Sequence, residues 1–235
     1  MEYHEEPRIT MINGFGRLNT KINLEDLYIH FYLDELFIGK KFKGNERGFI
    51  PPVKKNKKNP TRKVMQNQVT IIYKIHDTRF IKVKIFNTGL IHMPGMKTIK
   101  ECEELIYCIN SKFKEQNEKI FEDYSELNAE FLPNTIMVNM QYTLKITENL
   151  NKEELQAFIR TNYKDQIVNA FLNSIYPALK IQFISGDDKI VYIMIQSSGI
   201  VAMKGAKGID AIEQNHKAID FMNEVFQSYF KSKNL

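Results

Sequence analysis

A twelve-residue run that recurs 110 positions later limits what this chain can fold into more than anything else in its sequence. Residues 86–97 read FNTGLIHMPGMK, and residues 196–207 read QSSGIVAMKGAK. The two share Gly89/Gly199, Met93/Met203, Gly95/Gly205 and Lys97/Lys207, with conservative Thr88/Ser198, Leu90/Ile200 and Ile91/Val201. The register continues without a gap into Ile99/Ile209, Glu103/Glu213 and Ile109/Ile219. Two glycines, a methionine and a lysine held in one register indicate duplication, and so long a spacing implies a two-fold domain rather than a solenoid array.

Each copy carries the same periodicities. Residues 9–18 and 134–146 read as extended, with alternation at Ile136, Val138, Met140 and Tyr142. A helix follows each: Leu24 to Leu36 with Asn23 as N-cap, and a second from near Asn151, whose side chain can cap Lys152-Glu153-Glu154. Short strands come next, at 69–76, 79–86 and 90–93, then at 179–185, 189–196 and 200–203. Their bends are marked by His76-Asp77, Asn87-Thr88-Gly89, Ser185 to Asp188 and Ser197-Ser198-Gly199. Each copy closes on an amphipathic helix, with stripes Ile99, Cys102, Ile106, Ile109, Phe113 and Ile209, Ile212, His216, Ile219, Met222, Phe226, Tyr229. The expected fold is α+β: a duplicated β-α-β(n)-α unit, repeats at 1–130 and 131–235, with helices on one face of an antiparallel sheet and the other face bare.

The formal charge is +5 over 235 residues, and residues 40–63 alone hold +9, leaving −4 elsewhere. This segment, read as an insertion over about 40–66, includes Lys54, Lys55, Lys57, Lys58, Arg62 and Lys63. It suits contact with phosphate, a solvated insertion being the other reading. Cys102 and Cys108 lie six apart on one expected helix and point apart around it, so they are expected to be reduced. No apolar run reaches the roughly 20 residues of a membrane helix, and the polar, acidic start does not read as a secretory signal, so a soluble intracellular protein is expected. There is no phosphate-binding loop, dinucleotide turn, nucleophile–histidine signature or metal-ligand cluster. No enzyme activity, cofactor or small-molecule substrate is therefore expected.

The repeated run resembles the TATA-binding protein family, whose two repeats each carry Phe-x-Ser-Gly-Lys, then Thr-Gly-Ala-Lys. Here these are Phe86-Asn87-Thr88-Gly89 with Pro94-Gly95-Met96-Lys97, and Gln196-Ser197-Ser198-Gly199 with Lys204-Gly205-Ala206-Lys207. Lys21 to Leu27 is similar to the family's Lys-Leu-Asp-Leu-x-x-Ile, and Tyr176-Pro177-Ala178-Leu179 to its Phe-Pro-Gly-Leu. The resemblance implies a saddle whose concave sheet lies on the minor groove, with Phe wedges that unstack base steps and Lys or Arg on phosphates. Of the wedge positions Phe86 is kept, its partner being Gln68 or Val69; in the second copy the positions fall at Tyr176 and Gln196. Phe86 and Tyr176 can each also be read as core. Lys74, Lys84, Lys97, Lys204 and Lys207 stand as nucleic-acid-binding residues, with Lys204 needing a phosphate or water and Lys97 and Lys207 read either as phosphate contacts or as retained ancestry. Asn134 stands as the match to the family's central Asn, with Met11 in the first copy. Lys204 inside an apolar strand, and Lys97 and Lys207 at helix starts, are the unusual placements.

The basic insertion looks like that of TATA-binding-protein-like factors of large DNA viruses. This implies transcription initiation on AT-rich promoter DNA, with transcription factors or RNA polymerase subunits as partners. The setting would be the host nucleus, a cytoplasmic viral factory or the virion. The alternative is a protein scaffold of the transcription machinery with a degenerate DNA face. A third reading, a substrate-binding domain of a nucleic-acid-processing enzyme, rests on fold analogy.

Overall fold

The structure is a computed structural model that describes residues 4–52, 65–125, 127–145, 150–172, 178–186 and 189–233. It divides into two compact units, Asn13–Pro133 and Met1–Ile12 with Asn134–Leu235. Strand β1 (Arg8–Leu18) runs through both.

The Asn13–Pro133 unit continues with α1 (Leu24–His30), β2 (Phe37–Phe42), β3 (Asn45–Gly48), β4 (Gln68–His76), β5 (Arg79–Phe86), β6 (Leu90–Met96), α2 (Ile99–Lys114) and β7 (Ala129–Phe131). Its strand order is β3-β2-β4-β5-β6-β1, with β7 also on β1. The other unit opens with the first residues of β1 and adds β8 (Met137–Thr143), α3 (Lys152–Asn162), β9 (Ile167–Leu172), β10 (Ala178–Gly186), β11 (Lys189–Gln196), β12 (Ile200–Lys207) and α4 (Ala211–Ser232). Its order is β1-β8-β12-β11-β10-β9. The architecture is α+β, with antiparallel strands and, among the described residues, four α-helices.

The duplication is visible in the hydrogen-bonding register. Gln68 pairs with Phe86 and Ile71 with Val83; Ala178 pairs with Gln196 and Ile181 with Ile193, each position 110 later. The glycines explain why the repeated run kept them. Gly89 and Gly199 sit at φ 79° and 79°, Gly95 and Gly205 at φ 90° and 86°, in the left-handed region where a Cβ is strained. The first pair closes the hairpin turn, with Gly89 N donating to Phe86 O at 3.0 Å and Gly199 N to Gln196 O at 3.1 Å. Gly205 sits at a bulge between Met203 and Ala206, and the strand continues beyond it. For this reason β6 and β12 run to Met96 and Lys207 rather than stopping at 93 and 203.

Alternation fixes the faces. Ile81, Val83, Ile85, Ile91 and Met93 are buried on the side of α2, and Val191, Ile193, Ile195, Val201 and Met203 on the side of α4. At about 25 cal/mol per Å² of apolar area, these rows are the main favourable term of the fold. Thr98 caps α2 by accepting from Glu101 N at 3.1 Å, and Asn23 and Asn151 cap α1 and α3 as expected. Cys102 is buried and Cys108 half-buried on α2, both free thiols.

Other expectations are corrected. Helix α1 ends at His30, not near Leu36. The Lys40 ammonium bonds the carbonyls of Ile29 and Phe31, and Asp34 accepts from Leu36 N and Phe37 N at 2.8 and 2.7 Å, turning the chain into β2. The segment read as an insertion from about 40 thus begins as the hairpin β2–β3: Lys40 is buried, Lys41 is paired with Glu46, and Lys43 with Glu25. Residues 134–136 are not strand, since a 3-10 turn spans Pro133–Thr135 before β8. Helix α4 starts at Ala211, after the φ 91° turn at Gly208. Ile209 lies outside it and 72% exposed, His216 faces outward, and the buried stripe runs through Ala211, Asn215, Ala218, Met222, Phe226 and Tyr229.

The two units pack their long helices differently. Leu18 N donates to Gly89 O and Leu144 N to Gly199 O, equivalent bonds that make Met140 and Tyr142 the counterparts of Gly14 and Gly16 in the second copy. A Cβ on Gly14 would meet Cys102 Sγ at 2.5 Å, and one on Gly16 would overlap Ile106 Cδ1. In this unit the helix sits directly on the strand backbone, whereas in the other Met140 and Tyr142 are buried at the matching places. Gly16→Ala is expected to destabilise by about 1–3 kcal/mol through overpacking. Thermal unfolding should register it as a fall of about 2–4 °C per kcal/mol. An unchanged melting temperature would contradict this packing.

Candidate nucleic-acid interface

The residues that alternate with the buried rows form the helix-free face of each sheet. In the Asn13–Pro133 unit these are Asn13, Phe15 and Arg17 of β1, Leu90, His92 and Pro94 of β6, Lys82, Lys84 and Phe86 of β5, and Gln68, Thr70, Ile72 and Lys74 of β4. In the other unit they are Asn139, Gln141 and Thr143 of β8, Ala202 and Lys204 of β12, Tyr192, Met194 and Gln196 of β11, and Lys180 and Gln182 of β10. Neither set contains a carboxylate. The acids beside the first set are Glu46, paired with Lys41, Glu130 of β7, opposite Arg17, and Asp77, whose carboxyl is held down by the Lys74 ammonium at 2.7 Å. Lysines set between polar and small side chains, Lys82, Lys84, Lys180 and Lys204 among them, lend these faces positive charge.

The centre of the first face is ordered by aromatic stacking. Phe15 lies parallel to His92, with ring centroids 4.7 Å apart and planes 8° apart, and His92 Nε2 is 3.4 Å from Asn13 Oδ1. Burial, with a smaller contribution from the Lys84 ammonium directly across the strand pair, pushes the His92 imidazole down to about 4. The ring is thus neutral near pH 7.

The expected site residues fall out as follows. Phe86 is half-buried on the helix-free face, and the register assigns its cross-strand partner as Gln68; Val69 is fully buried on the helix side. In the second copy the residue opposite Gln196 is Ala178. Tyr176 lies outside the described residues, as do Lys54, Lys55, Lys57, Lys58, Arg62 and Lys63. Lys74, Lys84 and Lys204 share the helix-free faces, and Lys204 is exposed, so it needs no buried partner. Lys97 is exposed just before the α2 cap, its N–H donating to Glu101 Oε2 at 2.8 Å. Lys207 does not begin a helix; it ends β12, opposite Met137. Asn134 is exposed in the 3-10 turn rather than on the sheet.

Sequence reading missed Asn13, Phe15, Arg17, Lys82, Asn139, Lys180 and Tyr192. Alternation against the buried rows could have found the lysines and Tyr192. The match of Leu18 with Leu144 sets Asn13 level with Asn139, a pairing legible only once the β1 and β8 ends are fixed.

No protein-family model matches the chain, and no curated protein matches it. Among solved structures, the fold is that of the TATA-binding proteins. The TBP of Methanococcus jannaschii matches with a TM-score of 0.54 over 95% of this chain and 99% of that one, at 16% identity. At that identity the likeness is one of fold. No helix among the described residues is long and apolar enough to cross a membrane.

His92 provides a direct check on this face. Its folded pKa lies below the unfolded value of about 6.5, so the unfolded state binds the proton first as pH falls. Its contribution to stability is full above about pH 6.5 and is lost as pH falls toward 4. NMR titration of the His92 ring should give a midpoint near 4, raised by Lys84→Gln. A midpoint near the unperturbed value of about 6.5 would contradict the burial described.

Proposed function

We propose that the chain is a duplex-DNA-binding factor of transcription initiation, with the helix-free sheet faces as its DNA surface. The observation that carries this reading is the row of lysines on the helix-free face of each sheet, to which β4, β5, β6, β10, β11 and β12 add no carboxylate, in a fold shared with an archaeal TBP. Phosphates would be held by Lys82, Lys84, Lys180 and Lys204, and Lys54 to Lys63 would add to this. Asn13, Asn139, Gln141 and Thr70 offer short polar side chains suited to the degenerate edge pattern of the minor groove. Phe86 would wedge a base step. In the second copy the register sets Ala178 and Gln196 at the matching positions, so a single aromatic wedge and a shallower bend follow for those two pairs. Tyr176 would add a second wedge. A viral origin for the chain, and AT-rich promoters as its targets, belong to the same proposal.

A protein scaffold is the second reading. It is favoured by apolar side chains left in solvent around α1 and α2, with Tyr107 73% and Ile29 54% exposed. Polymerase subunits retained in a pull-down after nuclease digestion, with no duplex affinity at low salt, would select it.

Fluorescence anisotropy against a labelled duplex at several salt concentrations tests the DNA reading. Log K should fall with log salt at a slope of about −0.9 per phosphate contacted. Lys84→Gln and Lys204→Gln should each flatten the slope by about 1. Phe86→Ala should reduce bending, read by end-to-end energy transfer, and leave the slope unchanged. A wild-type chain without duplex affinity at low salt would overturn the proposal.

A further inference from the structure

A hollow of about 470 Å³ opens on the helix-free face of the Asn13–Pro133 sheet, between the β2–β3 hairpin and strands β4 and β5. Its lining combines three chemistries. Lys82 and Lys84, two apart on β5, reach it from one side; neither has an ion-pair partner among the described residues. The two lysines at its rim, Lys41 and Lys43, are already paired to Glu46 and Glu25. Ile50 and Met65 form an apolar wall, with Met65 56% exposed. The third element is Gln68, only 8% exposed. Its Nε2 donates to Thr70 Oγ1 at 3.3 Å, while its Oε1 is buried and has no hydrogen-bond partner.

A buried amide oxygen left unmet costs about 1–3 kcal/mol, and natural folds tolerate this where a ligand or water completes the bond. Two adjacent ammonium groups with no ion-pair partner among the described residues, beside a Glu46 already paired with Lys41, favour an anion with several acceptor oxygens. The apolar wall favours a flat, weakly polar body, and the Gln68 oxygen asks for an N–H on that body's edge. A heterocyclic base carrying a phosphate joins all three, and a hollow of this volume is in the range of small-ligand pockets.

We propose that this hollow is a nucleotide-binding site. Lys82 and Lys84 hold the phosphate, the base lies against Ile50 and Met65, and an N–H on its edge donates to Gln68 Oε1. The site takes one nucleotide with its base unpaired, which duplex DNA in its stacked form does not offer. Lys82 and Lys84 are shared with the proposed duplex surface, so nucleotide and duplex compete for them, and titration of the nucleotide in the absence of duplex reads this site by itself. The nucleotide can be free in solution or one unit of a single strand.

Isothermal titration of the full chain tests this with adenosine monophosphate, adenosine, ribose 5-phosphate and a short oligodeoxyadenylate. Adenosine monophosphate should bind with 1:1 stoichiometry, at least ten-fold tighter than adenosine or ribose 5-phosphate. Lys82→Gln with Lys84→Gln should bring adenosine monophosphate down to the level of adenosine. Gln68→Leu should bring it down to the level of ribose 5-phosphate. Tighter binding of the oligonucleotide identifies the single strand as the source, and tighter binding of the monophosphate identifies the free nucleotide. Should a variant fail to fold, amide shift mapping on the wild-type chain decides instead, with perturbations expected at Gln68, Thr70, Lys82 and Lys84. Equal affinity for adenosine monophosphate and ribose 5-phosphate, or shifts away from these residues, would overturn the proposal.

Discussion

Burial of one row of each strand against a long helix is the interaction on which the rest of the structure depends. In a β-strand the side-chain period is two, so once Ile81, Val83 and Ile85 are committed to the side of α2, the residues between them must face the other way. Lys82, Lys84 and Phe86 are placed by that commitment alone. The same logic on β10, β11 and β12 sets Lys180, Tyr192 and Lys204 opposite the row buried beside α4. A one-residue slip would bury lysines and expose isoleucines, so the register is strongly held.

The two copies share a backbone plan but not a packing solution. The glycines at positive φ recur because hairpin closure and the continuation of the third strand need them in both. Gly14 and Gly16, by contrast, have Met140 and Tyr142 as counterparts, so α2 lies on bare backbone where α4 has large side chains nearby. The helix-free faces diverge as well. A stacked Phe15–His92 pair and a lysine-lined hollow mark the Asn13–Pro133 unit, while the other shows an exposed Tyr192 and an isolated Lys204. Duplication fixed the scaffold, and the working surfaces were then free to differ.

Much of this was legible in the sequence, because the 110-residue register and the alternation of β5, β10 and β11 are carried by residue type. The likeness to the TATA-binding fold could be drawn from the same residues, and the solved archaeal structure agrees with it. What was not legible depends on contacts distant in sequence. The early end of α1 is set by Lys40, which bonds carbonyls about ten residues back, and by the Asp34–Lys112 ion pair. The β2–β3 hairpin was hidden because its lysines read as a solvated loop, although Lys40 is buried and Lys41 and Lys43 are neutralised. The stripe of α4 was misread at its start because Gly208, not Lys207, turns the chain into the helix. Asn13 and Asn139 escaped notice because matching β1 to β8 rests on backbone hydrogen bonds from Leu18 and Leu144, not on residue identity.

The central claim is that the lysines alternating with the buried rows, rather than lysines in general, form the surface for a polyanion. Lysine acetylation footprinting with and without duplex DNA tests it most directly, because each ammonium reports its own exposure. Duplex should protect Lys82, Lys84, Lys180 and Lys204 and leave Lys100 and Lys217, exposed on α2 and α4, as reactive as before. Protection spread evenly over both groups, or confined to the helix lysines, would contradict the account.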